Sequence, residues 1–201
     1  MKRFCVLMMS SIALLSTLGR CQKSEKTVAH NYSDNQRLHP SAEVERLLKA
    51  FKGDWSVSEN FEVSASKQGR ARQGRATFTI GPGFSLVENY RSGGSAGDLR
   101  FLGVLWWDPK SNAYPFFTCA NDEGCTVRGS ARWEGNSLVN TWEEEVNGKQ
   151  VAFKDSFVDI SPASFTLISE GVSDGTPIWR VVTKYVRVTA KGSDQRRKGQ
   201  L

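Results

Sequence analysis

The hydrophobic positions along the chain follow two different periods. Over residues 41–52, apolar side chains recur at i, i+3, i+4 and i+7, which predicts one short amphipathic helix. The apolar stripe consists of Val44, Leu47, Leu48 and Phe51. Ser41 is a suitable N-cap for this helix, and Gly53 is placed to end it. From Trp55 onward apolar and polar side chains alternate, and this period of two predicts β-strands.

Turn-forming residues divide the rest of the chain into about ten strand-like runs. The strongest hairpin signal is Asn147-Gly148, and Asn121–Gly124 and Gly135-Asn136 are similar turn signals. Short strands joined by tight turns predict an antiparallel all-β meander. Such a meander forms either a sandwich or an up-and-down barrel.

A Gly-x-Trp motif, Gly53-Asp54-Trp55, directly follows the predicted helix and resembles the opening of lipocalin-like (calycin) barrels. Together with this opening, several segments resemble a bacterial family labelled domain of unknown function 1579, over about residues 45–188. These segments span residues 48–57, 81–83, 102–108, 124–127, 133–136 and 159–162. The resemblance implies a lipocalin-like up-and-down antiparallel β-barrel of about eight to ten strands, preceded by one short N-terminal helix. It implies no established activity and no catalytic residues.

The same resemblance implies a structural role for the tryptophan. In lipocalin-like barrels the Gly-x-Trp tryptophan closes one end of the barrel, and a basic residue of the last strand stacks over it. Lys184 or Arg187 is expected to do so here, by a cation–π contact with Trp55. Gly53, Trp55, Lys184 and Arg187 are therefore the structural candidates of this end.

The N-terminus predicts export. Residues 1–19 have the layout of a secretory signal peptide, with Lys2 and Arg3 before an apolar stretch. Residues 20–39 are polar and aperiodic, which predicts a flexible linker. The single barrel domain is then expected over 40–189, and a basic disordered tail over 190–201. The expected location is periplasmic or extracellular.

Cys21 leaves a second possibility open at this end of the chain. A cysteine after an apolar stretch can carry lipid, but Arg20 stands where a lipoprotein signal has a small residue. Simple export is therefore preferred over lipid anchoring. A membrane is an expected partner only if Cys21 is lipidated or the basic tail touches anionic lipid.

The two cysteines inside the predicted domain, Cys119 and Cys125, flank a turn-forming sequence. In an exported protein they predict a disulfide bond across that turn. A metal or redox pair is the competing interpretation, which is disfavoured because the spacing is not Cys-x-x-Cys and no histidine is near.

Charge and histidine content exclude several functions. The chain carries 27 Lys+Arg and 21 Asp+Glu, a net charge of +6, but the excess lies at its ends. A basic face for nucleic acid is therefore not expected. The two histidines, His30 and His39, both precede the barrel. This excludes a Ser-His-Asp site or a Cys-His site within the barrel, and it excludes a His-ligated haem there unless His30 or His39 folds back. We expect no metal and no cofactor.

The candidates for function are charged residues at strand positions where the alternation otherwise places apolar side chains. Glu59, Arg72, Glu88 and Asp155 each share a strand face with apolar or aromatic side chains. An ionised group inside a core is costly unless it is paired, so these groups would suit the wall of a ligand cavity. The candidate ligand-binding residues are Glu59, Phe61, Arg72, Glu88, Tyr90 and Asp155. Alternatively, bulges turn these groups toward water, or Arg72 forms a structural bridge with a carboxylate.

Three functions remain open, and we rank them in order. The first is binding of a small, partly apolar ligand inside the barrel. The second is a non-catalytic envelope scaffold with a filled barrel, which contacts partners through an outer aromatic of Trp106-Trp107. The third is an enzyme that uses Glu59, Glu88 or Asp155 for acid–base chemistry. The sequence sets neither the ligand nor the oligomeric state.

Overall fold

A computed structural model describes residues 39–189 of the chain. The predicted signal peptide, Cys21, the linker up to residue 38 and the tail 190–201 lie outside the described residues. Within the described part of the chain, no helix has the length and apolarity needed to cross a membrane.

The one α-helix within residues 39–189, α1, spans Ala42–Phe51 and agrees with the predicted 41–52 within a residue at each end. Ser41 caps it, because its hydroxyl accepts a hydrogen bond from the amide of Val44. The predicted apolar stripe is its inward face, where Val44, Leu47 and Phe51 are buried.

Ten strands follow the helix. They are β1 (Gly53–Ser64), β2 (Ala71–Ile80), β3 (Leu86–Gly94), β4 (Leu99–Leu105), β5 (Tyr114–Ala120), β6 (Gly124–Glu134), β7 (Ser137–Val146), β8 (Lys149–Val158), β9 (Ser164–Ser173) and β10 (Thr176–Arg187). Each strand pairs antiparallel with its neighbours in sequence, and β10 pairs with β1 to close the barrel. The predicted all-β up-and-down barrel is confirmed, with a strand count at the upper end of the expected range.

Helix α1 covers one end of the barrel, which we call the closed end. Phe51 inserts its ring among Phe78, Phe157 and Phe165, with ring centroids 5.1–6.1 Å apart. Tyr114 ties the helix to β5 by donating its hydroxyl proton to the carbonyl of Glu43 at 2.9 Å. This aromatic packing fills the closed end and makes it the hydrophobic core of the molecule.

Trp55 is fully buried beneath the helix, and its indole Nε1 donates to the carbonyl of Phe51 at 2.8 Å. The Arg187 guanidinium lies 4.1 Å from the Trp55 ring centroid and donates to the carbonyl of Lys52. Of the two basic residues considered for this contact, Lys184 does not take part. It is exposed, because the alternation along β10 turns it outward, whereas Tyr185 is buried.

Strand β6 contains an irregularity that matters for the cavity. Between Pro115 and Phe117 of β5, the register skips one extra residue of β6, which is the pattern of a β-bulge. Gly129 lies in this bulge with φ +61°. The bulge reverses the alternation, so Val127 faces solvent with 62% exposure. Arg128 instead turns its side chain toward the barrel interior.

Cys119 and Cys125 are directly opposite in the β5–β6 ladder and form a disulfide bond. The predicted disulfide is confirmed. The Trp pair also divides as alternation predicts: Trp107 packs against the core and its ring meets that of Tyr114, whereas Trp106 is 37% exposed.

Candidate ligand-binding cavity

The barrel encloses a cavity of about 1230 Å³ that opens at the end opposite helix α1. We call this the open end. Its rim is formed by the turns that join β1 to β2, β5 to β6, β7 to β8 and β9 to β10. Successive turns of an up-and-down barrel lie at opposite ends. The turns that form this rim are therefore separate from the hydrophobic core at the closed end.

Aromatic and aliphatic side chains form most of the cavity wall. The aromatic ones are Tyr90, Phe101, Phe116, Trp142, Phe153, Phe157, Trp179 and Tyr185. Apolar walls with a few polar groups are the usual lining of small-molecule sites, because the walls bind the body of a ligand and the polar groups orient it.

Glu59 is the centre of a buried polar network in this wall. Its Oε2 accepts two hydrogen bonds from Arg72, from Nε at 3.0 Å and Nη2 at 2.6 Å. Its Oε1 accepts from the hydroxyl of Tyr90 and from Ser92 Oγ at 2.8 Å. All four side chains are buried. Burial and the Glu59 charge raise the pKa of Tyr90, so its phenol keeps the proton that it donates.

Glu88 is 4% exposed and accepts fewer hydrogen bonds than Glu59 does. The hydroxyl of Tyr185 donates to its Oε1 at 3.3 Å. Burial raises the pKa of Glu88 to about 8; the Tyr185 hydrogen bond partly offsets this and the nearby charge of Asp155 adds to it. Glu88 therefore holds a proton in a large fraction of molecules at neutral pH.

Asp155 is the second buried carboxyl group with a single side-chain hydrogen bond. Ser169 Oγ donates to its Oδ1 at 2.6 Å. Burial raises the pKa of Asp155 to about 6, and both the Ser169 hydrogen bond and the charge of Arg128 act against that rise.

Arg128 stands nearer the rim, where it forms an ion pair with Glu123. Its guanidinium lies 5.6 Å from the ring centroid of Trp142. Two buried donors here, Arg128 Nε and Trp142 Nε1, have no hydrogen-bond partner. Residues 39–189 contain no cluster of three or more His, Cys, Asp or Glu side chains that could hold a metal ion.

Comparisons with known proteins show that this chain is similar in fold to solved β-barrel structures. No protein-family model matches the chain, and no curated protein is significantly similar to it. The crystal structure of Rv2717c from M. tuberculosis has a TM-score of 0.54 at 11% identity, over 75% of this chain and 100% of that one. The designed β-barrel mFAP1, solved bound to DFHBI, has a TM-score of 0.40 at 14% identity, over 71% of this chain and 99% of that one. At these identities the chain is similar to Rv2717c in fold alone.

Five of the six candidate ligand-binding residues line the cavity. They are Glu59, Arg72, Glu88, Tyr90 and Asp155. Phe61 is buried but does not line it, because its ring packs against Trp179 beside a bulge that follows it in β1. The suggested structural bridge of Arg72 is also present, as its ion pair with Glu59.

Sequence reasoning missed several polar residues of the wall. Ser169 and Tyr185 lie where β9 and β10 pair without a register shift, so extending the period of two to these segments would have found them. Arg128 was missed because the β6 bulge reverses the alternation before it. The signal for the bulge was Gly129 within a strand, since an interior glycine often marks a bulge.

Proposed function

We propose that this protein binds a small, partly apolar molecule inside the barrel. The observation that carries the proposal is the open cavity of about 1230 Å³. Pockets for small molecules commonly measure about 300–1,000 Å³, so the space suffices for a ligand of ordinary size. A barrel that serves only as a filled scaffold would have its interior occupied by side chains, and this supports binding over the scaffold.

The distribution of polar groups also supports binding. A purely structural interior keeps its buried polar groups paired, as the Glu59–Arg72 network does. Glu88 and Asp155 each accept one side-chain hydrogen bond, although a carboxylate has room for several. A ligand that donates hydrogen bonds would fill the remaining acceptor sites of both carboxyl groups.

We also propose that the protein acts outside the cytoplasm. The Cys119–Cys125 disulfide supports this, because disulfides persist in oxidising compartments. Membership of the family labelled domain of unknown function 1579 is a further proposal. The helix followed by Gly53-Asp54-Trp55 at the closed end of a barrel supports it.

Native mass spectrometry of the protein purified from its own envelope fraction tests the binding proposal. We expect a native mass above the denatured mass by a few hundred daltons. Thr183→Trp, which fills the cavity from β10, should abolish the excess, because Thr183 is buried in the cavity wall. Lys184→Trp, on the outer face one residue further, should retain it. The proposal would be contradicted if the wild type and both folded variants showed native masses equal to their denatured masses and bound no added probe.

A further inference from the structure

The charge of the cavity is opposite to that of the whole chain. Eight carboxyl groups line the cavity and its mouth, three in the interior and five near the rim. The interior ones are Glu59, Glu88 and Asp155. The rim ones are Asp122, Glu123, Glu144, Glu145 and Asp174. Four basic residues accompany them, namely Lys67, Arg72, Arg128 and Lys149. A cleft with an excess of acidic groups concentrates cationic ligands, although the whole chain carries a net +6.

Three of the four basic residues of the wall are already paired with carboxylates, and Lys67 lies 5.7 Å from the ring centroid of Phe61. Arg72 is held by Glu59, and Arg128 forms an ion pair with Glu123 at the mouth. Lys149 lies 3.9 Å from Asp174 on the exposed rim. Among residues 39–189, no salt bridge reaches Glu88 or Asp155. The two carboxyl groups are therefore the unneutralised acidic groups of the interior.

Both groups are deeply buried and incompletely bonded. Glu88 is 4% exposed and Asp155 is 9% exposed. Within the described residues, the second oxygen of each, Glu88 Oε2 and Asp155 Oδ2, has no hydrogen-bond partner. Neither oxygen is among the fully buried atoms without a partner, and both residues line the cavity, so a ligand inside it could donate a hydrogen bond to each. The two groups lie on β3 and β8 and influence each other electrostatically across the barrel.

We propose that the ligand is an organic cation, with a protonated amine attached to an apolar or aromatic body. The ammonium group binds between Glu88 and Asp155, and the body packs against the aromatic wall. This inference rests on the proposed function, because it names the chemical class of the molecule that the cavity takes. An ammonium has three donors, which suits two carboxyl groups that each have an acceptor free.

Binding of such a cation is coupled to proton release. The raised pKa of Glu88 means that a large fraction of empty cavities hold its proton near neutral pH. An ammonium ligand favours the ionised carboxylate and displaces that proton, so its affinity rises with pH between about 6 and 8. An alkylammonium keeps its own charge in this range, as lysine does with a pKa of about 10.4.

Other ionisable groups also surround Glu88 and Asp155. Tyr185 and Tyr90 face Glu88 from β10 and β3, and burial raises the pKa of both, so they stay neutral over this range. The Glu59–Arg72 pair lies across β1 and β2. Asp155 is faced by Arg128, whose charge is shared with Glu123. Glu88 and Asp155 are thus the groups expected to change charge when a cation binds.

Three probes with one naphthalene body separate the possibilities: 2-(1-naphthyl)ethylamine, 2-(1-naphthyl)ethanol and 1-naphthylacetate. Isothermal titration calorimetry at pH 7.5 measures each Kd. We expect the amine to bind at least about tenfold more tightly than the alcohol, and the acetate most weakly, since one charge-assisted hydrogen bond accounts for a factor of this size. Repeating the amine titration in buffers of different ionisation enthalpy measures the released proton.

Variants assign the effect to the two carboxyl groups. Glu88→Gln and Asp155→Asn should each weaken amine binding about tenfold and leave alcohol binding within twofold. Glu88→Gln should also remove the proton release. Glu143→Gln is the matched control, because Glu143 is exposed on the outer face of β7 and loses the same charge. Near-ultraviolet circular dichroism establishes that each variant is folded.

The outcomes distinguish this inference from the proposed function. If no probe binds the folded wild type, the cation inference fails, and the proposed function fails with it if the native mass also shows no excess. If the amine and the alcohol bind equally, or the acetate binds best, binding stands and the cation inference fails. The inference also fails if Glu88→Gln and Asp155→Asn bind the amine as Glu143→Gln does.

Discussion

Glu59 and Arg72 form a fully buried ion pair whose geometry offsets the cost of removing two charges from water. Arg72 contributes two hydrogen bonds to one carboxylate oxygen, and Tyr90 and Ser92 satisfy the other. A buried pair contributes little net stability, but breaking it leaves an uncompensated charge. The two residues are therefore expected to behave as one unit.

Removing one partner of this pair should be far worse than removing both. We expect Arg72→Met to lower the free energy of unfolding by about 3–5 kcal/mol, because Glu59 is left buried without a cation. The double variant Glu59→Leu/Arg72→Met should recover at least half of that loss. Urea denaturation measures both. Arg70→Met, at an exposed position two residues earlier, should stay within about 0.5 kcal/mol of wild type. An equal loss in the single and double variants would contradict the prediction.

Glu88 should make the free energy of unfolding depend on pH. Its pKa is about 8 in the folded chain and near 4.5 when unfolded, so the native state binds more protons between these values. Stability from this group is complete below about pH 4.5 and is lost as the pH rises to 8. We expect urea denaturation between pH 5 and 8 to show a loss of a few kcal/mol that Glu88→Gln reduces. Asp155 adds a loss of the same sign below about pH 6. An identical slope in Glu88→Gln and in Glu143→Gln would show that Glu88 is not the cause.

At the scale of an element, β6 shows how one glycine redirects a strand. Its ladder with β7 covers the three pairs from Arg132 to Glu134, beyond the bulge. At the bulge, the amide Nδ2 of Asn140 in β7 donates to the carbonyl of Arg128 at 2.9 Å and replaces ladder hydrogen bonds. This side-chain link holds the two strands together where their backbones do not pair.

Gly129 and Gly135 provide a matched comparison within this element. Both have φ +61°, so alanine at either site carries the same backbone strain of about 1–2 kcal/mol. A Cβ at Gly129 would lie 2.2 Å from the carbonyl oxygen of Thr141, whereas a Cβ at Gly135 meets nothing within 4 Å. We expect Gly129→Ala to lower the free energy of unfolding by at least about 1–3 kcal/mol more than Gly135→Ala. Equal losses in thermal or urea denaturation would show that the strands separate at no cost.

The bulge also explains which parts of the site could be predicted. Alternation within an unbroken strand reports which face each residue occupies, and Glu59, Glu88 and Asp155 were placed on the inner face for this reason. It fails across a bulge, because one extra residue inverts every later position. The inward orientation of Arg128 depends on that inversion. The pairing of Arg72 with Glu59 depends on the register between β1 and β2, which the period of two does not specify.

At the scale of the whole molecule, the two ends of the barrel have different compositions. The closed end holds Phe51, Trp55 and Phe165 in mutual ring contact, with Arg187 over Trp55. The open end holds the cavity and most of its charged groups. The turn signals predicted an antiparallel meander, and the resemblance to lipocalin-like barrels implied that this meander closes. The volume inside the barrel depends on the pairing of β1 with β10, a long-range pairing without a local signal in the sequence.

This division predicts that stability resides chiefly at the closed end. Phe51 is almost completely buried among four rings, so we expect Phe51→Ala to lower the free energy of unfolding by about 3–5 kcal/mol. Val127→Ala, at an exposed site near the open end, is the control and should change it by less than about 0.5 kcal/mol. Because Phe51 does not line the cavity, folded Phe51→Ala should bind the naphthyl amine or alcohol with a Kd within twofold of wild type. A weak effect on stability, or a large change in Kd, would mean that the helix does not act as an independent cap and that the two ends are coupled.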